Sequence, residues 1–212
     1  MIQFKKITLT LLLPLLLLNV LIGQDCGYSS NPNQAYKWPS HTNWFFGMGN
    51  MMSFGSSGSA APNKGSAIGN NFYTSYEGVS SASDEEGNLV IFTNGVKLWD
   101  SHGIEVSIPG GRLLSGSEIP TGESSSSAQG VLIVKHPLNK NEYYIFTTDD
   151  IISGRNGNTT YGFNYCIYNK LTNTITTGPT RLGNYRTTEQ LTATWHSNGI
   201  DLWIVTHETT PL

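Results

Sequence analysis

Charged residues are scarce in this chain, with 12 lysines and arginines and 15 aspartates and glutamates among 212 residues. No run of basic residues could follow a phosphate backbone or an anionic membrane surface, so the sequence argues against nucleic acid and lipid headgroups as partners. Cysteine is scarcer still. Only Cys26 and Cys166 are present, which is too few for a disulfide framework, and whether these two pair is left open by the sequence.

Long hydrophobic runs are also lacking, except at the N-terminus. Residues 9–22 are apolar, with Lys5 and Lys6 before them and the small residue Gly23 after them. The run is too short and too near the N-terminus to favour a membrane span, so it predicts a signal peptide over 1–23 with cleavage at Gly23. Removing it takes away two lysines and no acidic residue, which changes the net charge from −3 to about −5. We expect a secreted protein, extracellular or held at the cell surface.

An internal repeat organises the rest of the chain. Three similar frames are Glu77-Gly78-Val79, Gln129-Gly130-Val131 and Glu189-Gln190-Leu191, spaced by 52 and then 60 residues. Seven positions after the first residue of each frame stand Asp84, His136 and His196. A turn and an apolar run follow every time. Repeats of roughly 40 to 50 residues built from short strands are typical of β-propeller blades, so the pattern predicts an all-β, WD40-like propeller.

The predicted organisation is a signal peptide, a tail and an incomplete propeller of about two and a half four-stranded blades. The predicted units are a linker or tail at 24–42, an N-terminal strand at 43–54, a loop at 55–71, and blades at 75–108, 127–178 and 188–212. Each full blade is expected to have four strands, and 104–108 is the fourth of the first blade. Since a propeller needs about four to eight blades to close, the remaining blades are expected in a longer chain, where 43–54 joins the last blade. A compact β-sandwich is the alternative.

Several segments resemble the N-terminal propeller of large cell-surface proteins of gliding bacteria, whose other parts include immunoglobulin-like modules and a C-terminal sorting domain. The segments are Asn43-Trp44-Phe45-Phe46-Gly47, Tyr76-Glu77-Gly78, Gly87-Asn88-Leu89, Thr93-Asn94-Gly95-Val96, Glu142-Tyr143-Tyr144-Ile145-Phe146-Thr147, His196-Ser197-Asn198-Gly199 and Trp203-Ile204-Val205-Thr206-His207-Glu208. The resemblance implies export and an adhesive role linked to gliding motility. None of these motifs is catalytic.

Polar residues at the ends of the predicted strands form the candidate site. Glu77, Gln129 and Glu189 stand at strand starts, whereas Asn94, Asp149, Asp150, His207 and Glu208 stand at strand exits on the same predicted face. An oxygen-rich cluster at a channel mouth suits a hard cation such as Ca²⁺ or a polyhydroxyl ligand. The alternative is structural: these side chains accept backbone N–H bonds between blades. No other cofactor is predicted, and the histidines are attributed to the repeat.

The sequence offers no catalytic residue that we would name. It has neither the clustered arginines nor the Ser-x-Asp-x-Gly box of a sialidase, and no Ser/His/Asp arrangement stands out. Trp99, Trp195 and Trp203 fall in predicted strands, where packing between blades is expected. The sequence therefore predicts a non-catalytic, adhesin-like surface module that binds carbohydrate or protein. The alternative is a propeller-type glycoside hydrolase whose active site is completed by further blades.

Overall fold

The structure, a computed structural model, describes residues 42–46, 50–53, 63–66, 77–113, 127–148, 162–183, 187–198 and 200–208. In these ranges the chain is all-β: twelve strands form four small antiparallel sheets, none closed, and no helix is present. The predicted signal peptide with Gly23, the tail up to residue 41, Cys26, Asp149 and Asp150 lie outside the described residues.

Sheet 1 consists of β1 (Asn43–Phe46), β2 (Asn50–Ser53) and β3 (Asn63–Ser66), in that order. The single strand predicted over 43–54 is wrong, because the chain reverses and pairs Phe46 with Asn50. The intervening sequence, Gly47-Met48-Gly49, contains two glycines, which favour turns. The loop predicted over 55–71 is also wrong in part, since it contains β3, which pairs with β2.

Sheet 2 consists of β4 (Ser80–Ser83), β5 (Leu89–Thr93) and β6 (Leu98–Asp100). The fourth strand predicted at 104–108 is wrong, because only one bridge forms there, between Trp99 and Glu105. A tight turn after β6, in which Asp100 Oδ1 accepts the N–H groups of His102 at 2.8 Å and Ile104 at 3.0 Å, returns the chain to β6 for a short pairing, in which the Val106 N–H donates to the Leu98 carbonyl at 2.8 Å. Beyond this turn, residues 104–113 run beside the sheet and contribute apolar side chains to the core: Val106, Ile108 and Leu113.

Sheet 3 has four strands: β7 (Val131–Lys135), β8 (Glu142–Thr147), β9 (Asn164–Asn169) and β10 (Thr174–Arg181), arranged in sequence order. Its alternation is regular along β8. Tyr143 and Ile145 face sheet 2, while Tyr144 and Phe146 face the opposite side. Sheet 4 has two strands, β11 (Thr187–Trp195) and β12 (Leu202–Glu208), joined by a hairpin.

The four sheets stack face to face in chain order, with one apolar cluster in each interface. Phe45 of sheet 1 stacks on Phe92 of sheet 2 with ring centroids 4.2 Å apart. The largest cluster lies between sheets 2 and 3 and includes Ile91, Leu98 and Ile145, all fully buried. A third cluster joins sheets 3 and 4. The first strands of successive sheets also touch: β1 contacts β4, β4 contacts β7, and β7 contacts β11.

Of the three tryptophans that were expected to pack between blades, two are exposed instead. Trp99 is buried, but Trp195 and Trp203 are 44% and 57% exposed. Trp203 lies on the outward face of sheet 4, with its ring centroid 5.4 Å from that of His196. Cys166 is a free, buried thiol facing sheet 2, and burial raises its pKa to about 12.

Candidate functional site

The structure brings the starts of the three repeated frames side by side. The Gly78 N–H donates to the Ser127 carbonyl at 3.0 Å, and the Gln129 N–H donates to the Glu189 carbonyl at 3.0 Å. Glu77 precedes β4, Gln129 lies in the turn before β7, and both side chains are exposed. The three strand-start residues of the predicted channel mouth therefore lie along one series of neighbouring backbone segments.

Glu189 also bonds across the junction between sheets 3 and 4. Its Oε2 accepts the backbone N–H of Ala128 at 3.2 Å. This is the bond that the structural interpretation of the Glu/Gln position expects, because it satisfies a main-chain donor at the start of the neighbouring sheet. The carboxylate of Glu189 thus holds a strand start in place.

The predicted exit residues occupy different environments. Asn94 is fully buried, and its Oδ1 accepts the N–H groups of Val96 at 3.0 Å and Lys97 at 2.9 Å, which fixes the turn between β5 and β6. His207 and Glu208, at the end of β12, are exposed. Within the described ranges, no group of three or more His, Cys, Asp or Glu side chains is arranged to hold a metal ion.

The polar residue seven positions after the start of each frame has the same role in all three hairpins. In all three hairpins its side chain accepts the backbone N–H of the residue two positions later: Glu86 to Asp84, Leu138 to His136 and Asn198 to His196, each at 3.1 Å. For Asp84, burial raises the pKa, but hydrogen bonds from Asn88 and Glu86 outweigh it, so the pKa lies below its ordinary value. The polar residue repeated at this position therefore caps the hairpin turn.

A cleft of about 560 Å³ opens between sheets 3 and 4 on the side away from the first strands. Its lining is mostly aliphatic and aromatic: His136, Pro137, Leu138, Tyr144, Phe146, Tyr165, Leu182, Ile200, Asp201, Leu202 and Ile204. Tyr144, Phe146 and Tyr165 form the floor, with ring centroids 5.7 to 6.3 Å apart. Burial raises the pKa of Tyr144, so its hydroxyl stays protonated at neutral pH.

The polar side chains of the cleft are engaged in their own turns. His136 Nδ1 accepts the Leu138 N–H, and its ring stacks on Tyr144 at 4.8 Å. Asp201 Oδ2 accepts the side-chain N–H of Asn198 at 2.6 Å. The remaining lining is mostly aliphatic and aromatic. Three rim residues are exposed aliphatics: Leu138, Leu182 and Ile200.

This cleft was not predicted from the sequence. Its signal was weak but present, since Leu138 and Ile200 are apolar residues inside segments otherwise made of turn formers.

Comparison of the chain with known protein families, with curated proteins and with solved structures found no match. Over the described part of the chain, no helix has the length and apolar character needed to cross a membrane.

Proposed function

We propose that this chain is a non-catalytic propeller-type module that is exported to the cell surface and works by binding, as part of a larger adhesin-like protein. The supporting observation is the stacking of four sheets in chain order with their first strands in contact. Propeller blades pack in this way around an axis lined by their innermost strands. The surface setting rests on the signal peptide and on the resemblance to proteins of gliding bacteria.

Binding is favoured over catalysis by what the polar residues do. Asp84, His136 and His196 cap turns, Glu189 accepts a main-chain N–H across a sheet junction, and Asn94 fixes a turn. These groups are committed to structure, whereas general acid–base catalysis needs a side chain poised against a substrate.

The cleft between sheets 3 and 4 favours a protein ligand over a carbohydrate. A sugar needs several convergent hydrogen-bonding groups, whereas the rim of this cleft is aliphatic and its His136 and Asp201 accept hydrogen bonds within their own turns. Apolar clefts with a few aromatic anchors are typical of sites that take side chains of a protein partner.

The test compares two leucines of sheet 3 that are both exposed. Leu182 lines the cleft at 45% exposure, and Leu171 lies in the β9–β10 turn at 73% exposure, outside it. The full chain and its Leu182→Asp and Leu171→Asp variants would be applied to a glycan array and to a panel of extracellular proteins. We expect protein binding that Leu182→Asp abolishes and Leu171→Asp leaves intact. Hydrolysis of any arrayed glycan by the chain would contradict the proposal.

Export is tested separately. Expressed in a bacterium with its own N-terminus, the protein should reach the cell exterior, and N-terminal sequencing of the exported form should begin at Gln24. An intracellular product that still carries residues 1–23 would remove the surface setting from the proposal.

A further inference from the structure

The turns of sheets 2 and 3 form one surface at one end of the stack, which we call the turn face. It consists of the turns at 84–88, 101–104, 136–141 and 170–173. Asn173 Nδ2 donates to Asp100 Oδ2 at 3.0 Å, which joins a turn of sheet 3 to a turn of sheet 2. The Lys170 N–H donates to the Asn141 carbonyl at 2.8 Å, which joins the two turns of sheet 3. A further sheet of the stack would lie beside sheet 4 or sheet 1, so it would leave the turn face open.

Each half of the turn face carries one aliphatic side chain on a fixed backbone. Ile104, in the turn after β6, and Leu171, in the turn after β9, are 61% and 73% exposed. The backbone N–H of Ile104 donates to Asp100 Oδ1 at 3.0 Å, and that of Leu171 donates to Asn169 Oδ1 at 2.9 Å. Because these turns are held before any contact forms, little backbone entropy is lost when they meet a partner.

Charge is segregated between the two halves of the turn face, although charged residues are scarce in the chain. The turns of sheet 2 carry three carboxylates and neither lysine nor arginine: Asp84, Glu85 and Glu86. The turns of sheet 3 carry Lys140 and Lys170 and no carboxylate. The turn face therefore has an acidic half beside a basic half.

The charges of the turn face are only partly neutralised within the chain. Asp84 caps its own turn, and Glu85 pairs with Lys135 at the end of β7. Glu86 and Lys140 are exposed, and their side chains form neither an ion pair nor a hydrogen bond with any of the described residues. One carboxylate and one ammonium group are thus available to a partner, one on each half.

We propose that the turn face binds the turn face of a second copy of the chain, about a two-fold axis that runs between the turns of sheets 2 and 3. Such an axis, lying in the plane of contact, sets the acidic half of each copy opposite the basic half of the other. The turns of the first hairpins then meet, which brings Glu86 to Lys140 of the second copy. The turns after the third strands meet as well, which brings Ile104 to Leu171 of the second copy. Both contacts occur twice, whereas a partner of another sequence would have to supply both halves itself.

The proposed contact is separate from the cleft between sheets 3 and 4. The turn face adjoins the cleft at residues 136–138, but Glu86, Lys140, Ile104 and Leu171 are not among the residues that line it. Dimer formation through the turn face is therefore independent of the proposed binding of an extracellular protein, and either one can fail without the other.

Charge reversal tests the ion pairs. The parent protein carries Trp203→Thr and Val205→Thr, so that the exposed face of sheet 4 does not contribute to association. Sedimentation equilibrium should find a dimer of this parent, and at least about tenfold weaker association after Glu86→Lys or Lys140→Glu, because each reversal sets like charges opposite each other twice. Thr177→Lys, which adds a charge on the exposed strand β10, should leave the dimer unchanged. A parent that stays monomeric at all concentrations would overturn the proposal.

Mixing the two reversed variants separates this symmetric contact from other causes of association. A Glu86→Lys copy set against a Lys140→Glu copy has opposite charges at both contacts, so an equimolar mixture should recover the dimer. The chain that carries both reversals should also dimerise. Recovery in the mixture shows in addition that both single variants are folded. Undiminished association of either single variant, or a mixture that stays monomeric, would overturn the proposal.

The aliphatic contact is tested with the two exposed leucines of sheet 3. Leu171→Asp should weaken the dimer by at least about tenfold, because it buries a carboxylate against Ile104 of the second copy. Leu182→Asp, which alters the cleft, should leave the dimer unchanged. If Leu171→Asp dimerises as strongly as the parent, the proposed axis is wrong.

Discussion

Replacement of Gly78 by alanine tests the closest approach between sheets 2 and 3. A Cβ placed on Gly78 would lie 2.5 Å from the Ser127 carbonyl oxygen and 3.1 Å from the Gly130 nitrogen. Both neighbours are backbone atoms, so no side-chain rotation can relieve the contact. The Ser127 carbonyl also accepts the Gly78 N–H at 3.0 Å, and this bond weakens if the two segments separate.

The expected cost follows from three terms. Overpacking of this kind costs about 1 to 3 kcal/mol. A weakened hydrogen bond adds about 1 kcal/mol. Alanine restricts the unfolded chain more than glycine does, which offsets about 0.4 to 1 kcal/mol of this destabilisation. We expect a net destabilisation of roughly 1 to 3 kcal/mol, concentrated at the junction of β4 and β7.

Native-state hydrogen exchange measures this locally. The amides of Gly78 and Gly130 should exchange about 5 to 150 times faster in Gly78→Ala, because 1.4 kcal/mol corresponds to a factor of ten. The matched control is Gln129→Ala, which removes an exposed side chain beside the same contact and should change stability by less than about 0.5 kcal/mol. Unchanged exchange at both glycines in Gly78→Ala would refute the close approach.

Four further outcomes are expected. Tyr168→Phe should lower the free energy of unfolding by about 1 kcal/mol, because the Tyr168 hydroxyl donates to Asn173 Oδ1 at 3.0 Å. Tyr143→Phe should not lower it, because the Tyr143 hydroxyl bonds to none of the described residues. Equal urea midpoints for the two variants would contradict this. Burial is the main cause that raises the pKa of Tyr143 and Tyr168 from 10 to about 12, and acidic neighbours add smaller effects. Burial also raises the pKa of Cys166 from 9 to about 12. The unfolded chain therefore loses protons first, so the free energy of unfolding should be constant below about pH 9 and fall towards pH 12, less steeply in Tyr143→Phe; a flat profile to pH 12 would be evidence against these shifts. Gly178→Ala should cost about 2 to 3 kcal/mol by thermal unfolding, since Gly178 has φ +83° and its Cβ would lie 2.6 Å from the Tyr165 carbonyl, while the exposed neighbour variant Thr177→Ala should be nearly neutral. Residues 24–212 should associate as concentration rises, because Trp203 and Val205 are 57% and 52% exposed on one face of sheet 4, and Trp203→Thr with Val205→Thr should reduce this; sedimentation of the unaltered chain as a monomer at all concentrations would count against it.

The repeat in the sequence predicted the hairpins because each strand carries its own local signal. A run of aromatic and β-branched residues marks β8, and turn formers such as Asn139 and Asn198 mark the reversals. Period and turn chemistry act over a few residues, so both can be read without knowing the fold.

The errors arose where local signals were ambiguous or where distant contacts decide. The apolar stretch at 43–54 reads as one strand, yet its central glycines allow the reversal that pairs Phe46 with Asn50. Residues 104–108 alternate like a strand, but they pair with β6 only briefly, and Val106 and Ile108 pack into the apolar cluster shared with sheet 3. The cleft could not be foreseen, because it depends on which strands of sheet 4 lie over which strands of sheet 3.

The third frame differs from the first two at its second position. The first two frames have glycine in second place, and for Gly78 the reason is the Ser127 carbonyl, which leaves no room for a Cβ. The third frame has Gln190, whose side chain is exposed on β11. A neighbour could not approach β11 there as closely as sheet 3 approaches β4 unless Gln190 moved aside.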